Sequence, residues 1–404
     1  MGILFKRKRK NNVAKLVPYK YVGVIEASDI HSTRIDWLSE ILKIIKILFP
    51  NIPLPFPQEP EQPEEPEEPE QPDQPEQPEN PEQPEQPEEP EQPEEPEAPE
   101  QPEEPAQPEE PEQPEEPEQP QVTVPLGVQA IGAKVMWDKG LNGEGITVAV
   151  IDTGIRNHPD LANKVTIRRD YTGEGGQARS EHGTHVAGTI AADGEIRGVA
   201  YKAKLADYRV LDRRGDGDLD DVVTAVRDAV REGCDVINMS LGGPVDYKPL
   251  REAVQEAYDA GVPIIVAAGN EGDNNNNTDE LSYPGMYPTV LSIGSANFNK
   301  LRTVPSRFTN SNNEVDCCAM GEDVISTGPN NDYVALSGTS MAAPHIAGAA
   351  ALIIQEFKSQ SKSYTTNDVY SKLLEYAKDI YLKGRDNTTG HGFVTFNSSL
   401  QQSN

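Results

Sequence analysis

Ile146-Thr147-Val148-Ala149-Val150-Ile151-Asp152-Thr153-Gly154 settles the architecture of this 404-residue chain. An unbroken apolar, β-branched run stops at a carboxylate, a hydroxyl and a glycine. A strand wetted on one side alternates apolar with polar residues; an unbroken run marks one buried on both faces. Leu205 to Leu211, Val236 to Met239 and Pro263 to Ala267 read the same way. Between them, Asp218 to Glu232 sets Leu219, Val222, Val223, Val226 and Val230 at helical spacing, and Leu250 to Ala260 is helical too. Strands alternating with helices predict an α/β fold: a doubly wound, mostly parallel sheet with helices on both faces. In such sheets, functional residues gather beyond the carboxyl ends of the strands.

The polar residues that follow these runs are of a chemically connected kind. Asp152 ends the first run. Asn270 follows the fourth, in Ala267-Ala268-Gly269-Asn270. His182-Gly183-Thr184-His185-Val186-Ala187-Gly188 opens a helix of small residues. Ser337-Gly338-Thr339-Ser340-Met341-Ala342-Ala343-Pro344-His345 turns into the helix Ile346 to Ile354. A serine at a helix N-terminus sits among unpaired N–H groups and the positive end of the helix dipole. Alone, it reads equally well as a cap. A serine hydroxyl becomes a nucleophile beside a base. An imidazole can be that base, and a carboxylate can fix its tautomer. By residue type, His182 and His185 are equal candidates. The Asn270 amide and the Ser340 N–H could together hold an oxyanion.

Further out, the chain divides into three parts: 1–56, a linker at 57–121, and a globular domain at 122–404. From Pro57 to Pro120 every third residue is proline. Polyproline II has three residues per turn, so this segment is expected to be an extended, disordered spacer without a core. Residues 58–121 hold 27 of the acidic residues and no Lys or Arg, and the whole chain carries −31. The remainder is therefore −31 + 27 = −4. The acidity belongs to the spacer, and no nucleic-acid partner is expected. Residues 34–49 read as an amphipathic helix, with Ile35, Leu38, Leu42, Ile45 and Phe49 on one stripe. It needs a surface to cover it: the main domain, a partner, or a membrane surface aided by Lys6 to Lys10; a homodimer is a separate expectation. No secretory signal or membrane-spanning stretch is recognised. Cys234, Cys317 and Cys318 do not make a disulfide framework. Free thiols point to a reducing, cytoplasmic setting; secretion or surface attachment is the alternative.

Asp-Thr-Gly, His-Gly-Thr-His-Val-Ala-Gly, Ala-Ala-Gly-Asn and Gly-Thr-Ser-Met-Ala-Ala-Pro, in that order, resemble the subtilisin-type serine proteases. The resemblance spans about residues 122–397. It implies a serine endopeptidase of broad specificity acting on proteins or peptides. Asp152, His182 and Ser340 would be the triad, Asn270 the oxyanion residue, and His185 structural. It also implies substrate pairing between Gly215-Asp216-Gly217 and Ser240-Leu241-Gly242, with Ala267, Ala268 and Gly269 walling the pocket for the residue before the scissile bond. Glu271 stands where a carboxylate could tolerate a basic residue there. Calcium is often bound in the loop after the histidine helix together with an acidic residue like Asp160. Here that loop, Ala192 to Gly198, is short and contains Arg197; a calcium-free turn is the alternative. Asp273 to Asp279 could hold a weak site or be solvated.

Asn270-Glu271-Gly272-Asp273 and Glu280-Leu281-Ser282-Tyr283-Pro284 narrow the likeness to the intracellular subtilisins of bacilli. Leu16-Val17-Pro18-Tyr19 resembles their inhibitory N-terminal segment, which implies a zymogen restrained in cis. The long spacer departs from that pattern. A tether lowers the effective concentration of the segment unless helix 34–49 docks. The rival reading is a scaffold protein whose stalk does the work and whose protease-like domain is inert.

Overall fold

The computed structural model describes residues 3–7, 14–18, 122–298 and 302–398. The amphipathic stretch 34–49 and the proline-rich spacer lie outside the described residues. Near the N-terminus, strands β1 (Ile3–Arg7) and β2 (Ala14–Pro18) form an antiparallel ladder with Leu4 opposite Val17.

The domain from 122 onward is built on a sheet. Its strands are β3 (Thr147–Asp152), β4 (Val165–Asp170), β5 (Lys204–Arg209), β6 (Val236–Met239), β7 (Ile264–Ala267), β8 (Leu291–Phe298), β9 (Thr303–Pro305) and β10 (Val315–Met320). A small antiparallel pair, β11 (Val324–Thr327) and β12 (Tyr333–Leu336), stands apart, and β13 (Ala377–Lys378) and β14 (Phe393–Val394) extend the main sheet. The spatial order is β13-β14-β10-β8-β7-β6-β3-β5-β4, with β9 against β8. The pairs from β14 to β4 are parallel; β8–β9 and β13–β14 are antiparallel.

Alternation along β3 explains the two cores. Val148 and Val150 join one apolar cluster with the helices His182–Ala191 and Thr339–Ser359. Ala149 and Ile151 join the other, with the helices Leu219–Arg231 and Lys248–Asp259. Both faces are covered, as the unbroken apolar run requires. Helix 219–231 starts where Asp218 accepts the Asp220 N–H as its cap, and Asp220 and Asp221 in the first turn favour its dipole. All three cysteines are free and buried. From β3 the chain moves to β4 and β5 on one side, then to β6 on the other. The carboxyl end of β3 is thus a topological switch point, where open α/β sheets leave a crevice.

Candidate active site

Asp152 is the last residue of β3. It follows Val148 and Val150 by the two-residue period, so it faces the side of helix 182–191. His182 is the first residue of that helix. Its Nδ1 lies 2.8 Å from Asp152 Oδ1 and 3.0 Å from Oδ2. The carboxylate also accepts the Thr153 N–H at 2.6 Å. The approach is close because residue 183 is glycine: a Cβ there would stand 2.6 Å from the Gly154 carbonyl oxygen. The structure separates the two histidines. His185, three residues on, meets the Val324 carbonyl oxygen through Nε2 at 2.7 Å, and burial pushes its pKa down to about 3.

Ser340 opens the long helix. Gly338 before it has φ 155°, a conformation that suits glycine. Pro344 lies inside this helix and has no N–H to give to the carbonyl four residues back. That carbonyl belongs to Ser340, and the Ser240 hydroxyl donates to it instead, at 2.9 Å. In return, the Ser340 hydroxyl donates to the Ser240 carbonyl at 3.1 Å. Asn238 Nδ2 donates to Ser240 Oγ at 3.0 Å.

Asn270 lies in the turn after β7. Its Oδ1 accepts from the Thr339 N–H at 2.8 Å and from the Thr339 hydroxyl at 2.9 Å. It thereby caps the long helix, and its Nδ2 is left as the remaining donor. Two buried nitrogens of this site have no hydrogen-bond partner: His182 Nε2 and Asn270 Nδ2. Buried polar groups are almost always paired, so these two need a reason.

The other expected residues lie on these elements. Asp212 to Gly217 is a tight hairpin, with the Asp212 N–H on the Asp216 carbonyl at 2.8 Å and Gly217 bridged to Leu211. Ser240, Leu241 and Gly242 leave β6, and Gly243 then pairs with Tyr283. Ala267, Ala268 and Gly269 leave β7 next to it. The Glu271 carboxylate is engaged: Oε2 accepts from Asn310 Nδ2 at 2.9 Å and Oε1 from the Asn270 N–H at 3.2 Å. Leu16, Val17 and Pro18 belong to β2, while Tyr19 lies outside the described residues. Sequence reasoning missed the Ser240 hydroxyl, Thr339 and Asn310. Their signal is a cross-chain contact that no local pattern carries.

Asp160 does not fit a calcium ion. Its Oδ1 accepts the Glu195 N–H at 3.1 Å; its Oδ2 accepts the Ile196 N–H at 2.9 Å and the Tyr333 hydroxyl at 3.0 Å. The short loop thus turns two N–H groups toward the carboxylate, whereas calcium needs six to eight oxygens. In 273–279, Asp273 accepts from the Asn275 N–H and the Thr278 hydroxyl, closing a small turn. Among the described residues, no group of three or more His, Cys, Asp or Glu is placed to hold a metal.

Comparison with known proteins identifies the family. The profile of Peptidase_S8, described as the Subtilase family, matches residues 143–392. The Intracellular serine protease of Paenibacillus polymyxa is 42% identical over 282 residues, 67% of this chain and 85% of that one. The Major intracellular serine protease of Bacillus subtilis (strain 168) is 42% identical over 283 residues, 67% of this chain and 87% of its own length. Subtilisin E of the same organism is 37% identical over 288 residues, 69% of this chain and 72% of its own length. With more than half of its residues inside the family profile, the chain belongs to the subtilase family of serine endopeptidases.

Proposed function

We propose that the chain cleaves peptide bonds through Asp152, His182 and Ser340, with Asn270 in the oxyanion hole. The observation that carries this reading is the pair of buried, partnerless nitrogens, His182 Nε2 on the imidazole that meets Asp152 and Asn270 Nδ2 on the amide that meets Thr339. A carboxylate only accepts hydrogen bonds, so the Asp152 contact assigns the imidazole proton to Nδ1. That leaves a lone pair on Nε2. On substrate binding, the Ser340 hydroxyl leaves the Ser240 carbonyl and gives its proton to Nε2 as its oxygen attacks the scissile carbonyl carbon. Negative charge moves to the carbonyl oxygen, where Asn270 Nδ2 and the Ser340 N–H stabilise it. The tetrahedral intermediate collapses; the C–N bond breaks and the leaving amine takes the proton from His182. Water then repeats the sequence on the acyl-enzyme, releases the acid and restores Ser340.

Substrate adds as an extended strand between Gly215-Asp216-Gly217 and Ser240-Leu241-Gly242. Recognition then rests on backbone hydrogen bonds, so specificity is broad. The N-terminal extension restrains the enzyme through Leu16 to Tyr19. The reading of a cytoplasmic enzyme is supported by the free cysteines and by the word intracellular in the names of two relatives. Ser340→Ala should abolish casein hydrolysis and fluorophosphonate labelling; labelling that persists at another residue overturns the assignment. Deletion of 1–56 should raise the specific activity of freshly made protein, and an unchanged value removes the inhibitory role.

A further inference from the structure

Asp207 is a carboxylate in the middle of a buried strand, 5% exposed. In β5 it lies opposite Val150 of β3. Leu205, two residues earlier, packs in the cluster of Val148 and Val150, so Asp207 faces the side that carries Asp152 and His182. Its Oδ2 accepts the Ile155 N–H at 3.1 Å and an Arg168 Nη1 hydrogen bond at 2.6 Å. The same Arg168 nitrogen donates to the Ile155 carbonyl at 2.6 Å. One ion pair therefore holds both main-chain polar groups of Ile155.

Ile155 ends the turn that begins at Asp152. From the other side, the turn is tied to the His182 helix: the Gly183 N–H donates to Thr153 Oγ1 at 3.0 Å, and the Arg156 N–H donates to Thr184 Oγ1 at 2.9 Å. The turn is the joint between the carboxylate and the imidazole. Asp207 Oδ1 is buried without a partner. Ion pairs with a buried member add little net stability once desolvation is counted, so apolar packing would serve the strand as well. The charged groups that act on Asp207 are Arg168 from β4, Asp152 from β3 and Arg209 from its own strand.

We infer that Asp207, paired with Arg168, is a positioning residue: it fixes Ile155 and so sets how Asp152 meets His182. This rests on the roles given above to Asp152 and His182. The readout is the low-field NMR resonance of the His182 Nδ1 proton in the full chain, assigned by its loss in His182→Gln. It reports the Asp152–His182 hydrogen bond whether or not the cleft is blocked. Asp207→Ala frees the Ile155 N–H and should shift this resonance upfield and broaden it. Asp207→Asn keeps an oxygen for Ile155 and should restore the parent position. A lowered melting temperature with an unmoved resonance in Asp207→Ala overturns the inference. If that variant does not fold, Arg168→Met decides: it releases the Ile155 carbonyl, and an unmoved resonance there overturns the inference equally. Hydrolysis that survives Ser340→Ala would instead sink the catalytic reading, an outcome independent of the resonance.

Discussion

Two buried carboxylates lie beyond opposite ends of the same helix and are used in opposite ways. Asp152 meets the first residue of helix 182–191, and Asp160 meets the loop that follows its last. Around Asp160 every contact closes: two main-chain N–H groups and the Tyr333 hydroxyl fill the carboxylate. Around Asp152 the network stays open: His182 takes the carboxylate on one nitrogen and leaves the other bare. The chemistry is the same and the burial similar. Completeness separates them: a closed network holds a fold together, and an open one waits for a ligand.

This contrast can be broken by experiment. The largest effect is expected at the open end. Asn270→Ala removes the bare donor and should lower kcat by about 10²- to 10³-fold with a smaller change in KM, the size long known for such a donor in subtilisins. Steady-state kinetics on a peptide amide check it, and equal activity would deny Nδ2 its role. At the closed end, Asp160→Ala strands three donors. It should cost roughly 2–4 kcal/mol of stability by denaturant unfolding, with kcat/KM at 25 °C nearly unchanged. Loss of activity without loss of stability would erase the contrast. A chelator sharpens the same point: EDTA should leave the melting temperature of the parent where it is. A large drop restored by calcium would show that the loop opens its carbonyls to an ion after all.

The last effect is with pH. Burial pushes His185 down to about 3, below its unfolded value of about 6.5. Between those values the unfolded chain binds more protons. The His185 contribution is therefore full above pH ~6.5 and is lost as pH falls toward about 3. Asp207 runs the other way. Burial pushes it up to about 6, against the pull of Arg168, so its contribution is full below about 3.9 and is lost as pH rises through about 6. His185→Gln keeps a donor for the Val324 carbonyl and should flatten the acid side of the melting-temperature profile. An unchanged slope would place the acid sensitivity elsewhere.

Much of the fold was legible. The unbroken run 146–151 gave a strand buried on both faces, and β3 is that strand within one residue. Asp218 to Glu232 became the helix Leu219–Arg231. The small, apolar run places the serine helix from Ile346, yet it begins at Thr339. The turn-like Gly-Thr-Ser and Pro344 hid its first turn, because the partner that replaces the missing N–H is Ser240, a hundred residues away. Asp207 showed its one signal, a carboxylate inside an apolar strand, without saying what it holds.

By itself, then, the sequence determined the strand order along the chain, the small-residue helices and the residue types of the site, since these follow from local period and size. Residue type alone left His182 and His185 equal, and only the motif resemblance favoured His182; the tertiary structure decided how His182 meets Asp152, which amide oxygen caps the long helix, and that Asp160 is filled. The reason is physical. Propensity and pattern act over a few neighbouring residues, whereas a hydrogen bond is made or left open by whichever group the packed chain brings within about 3 Å.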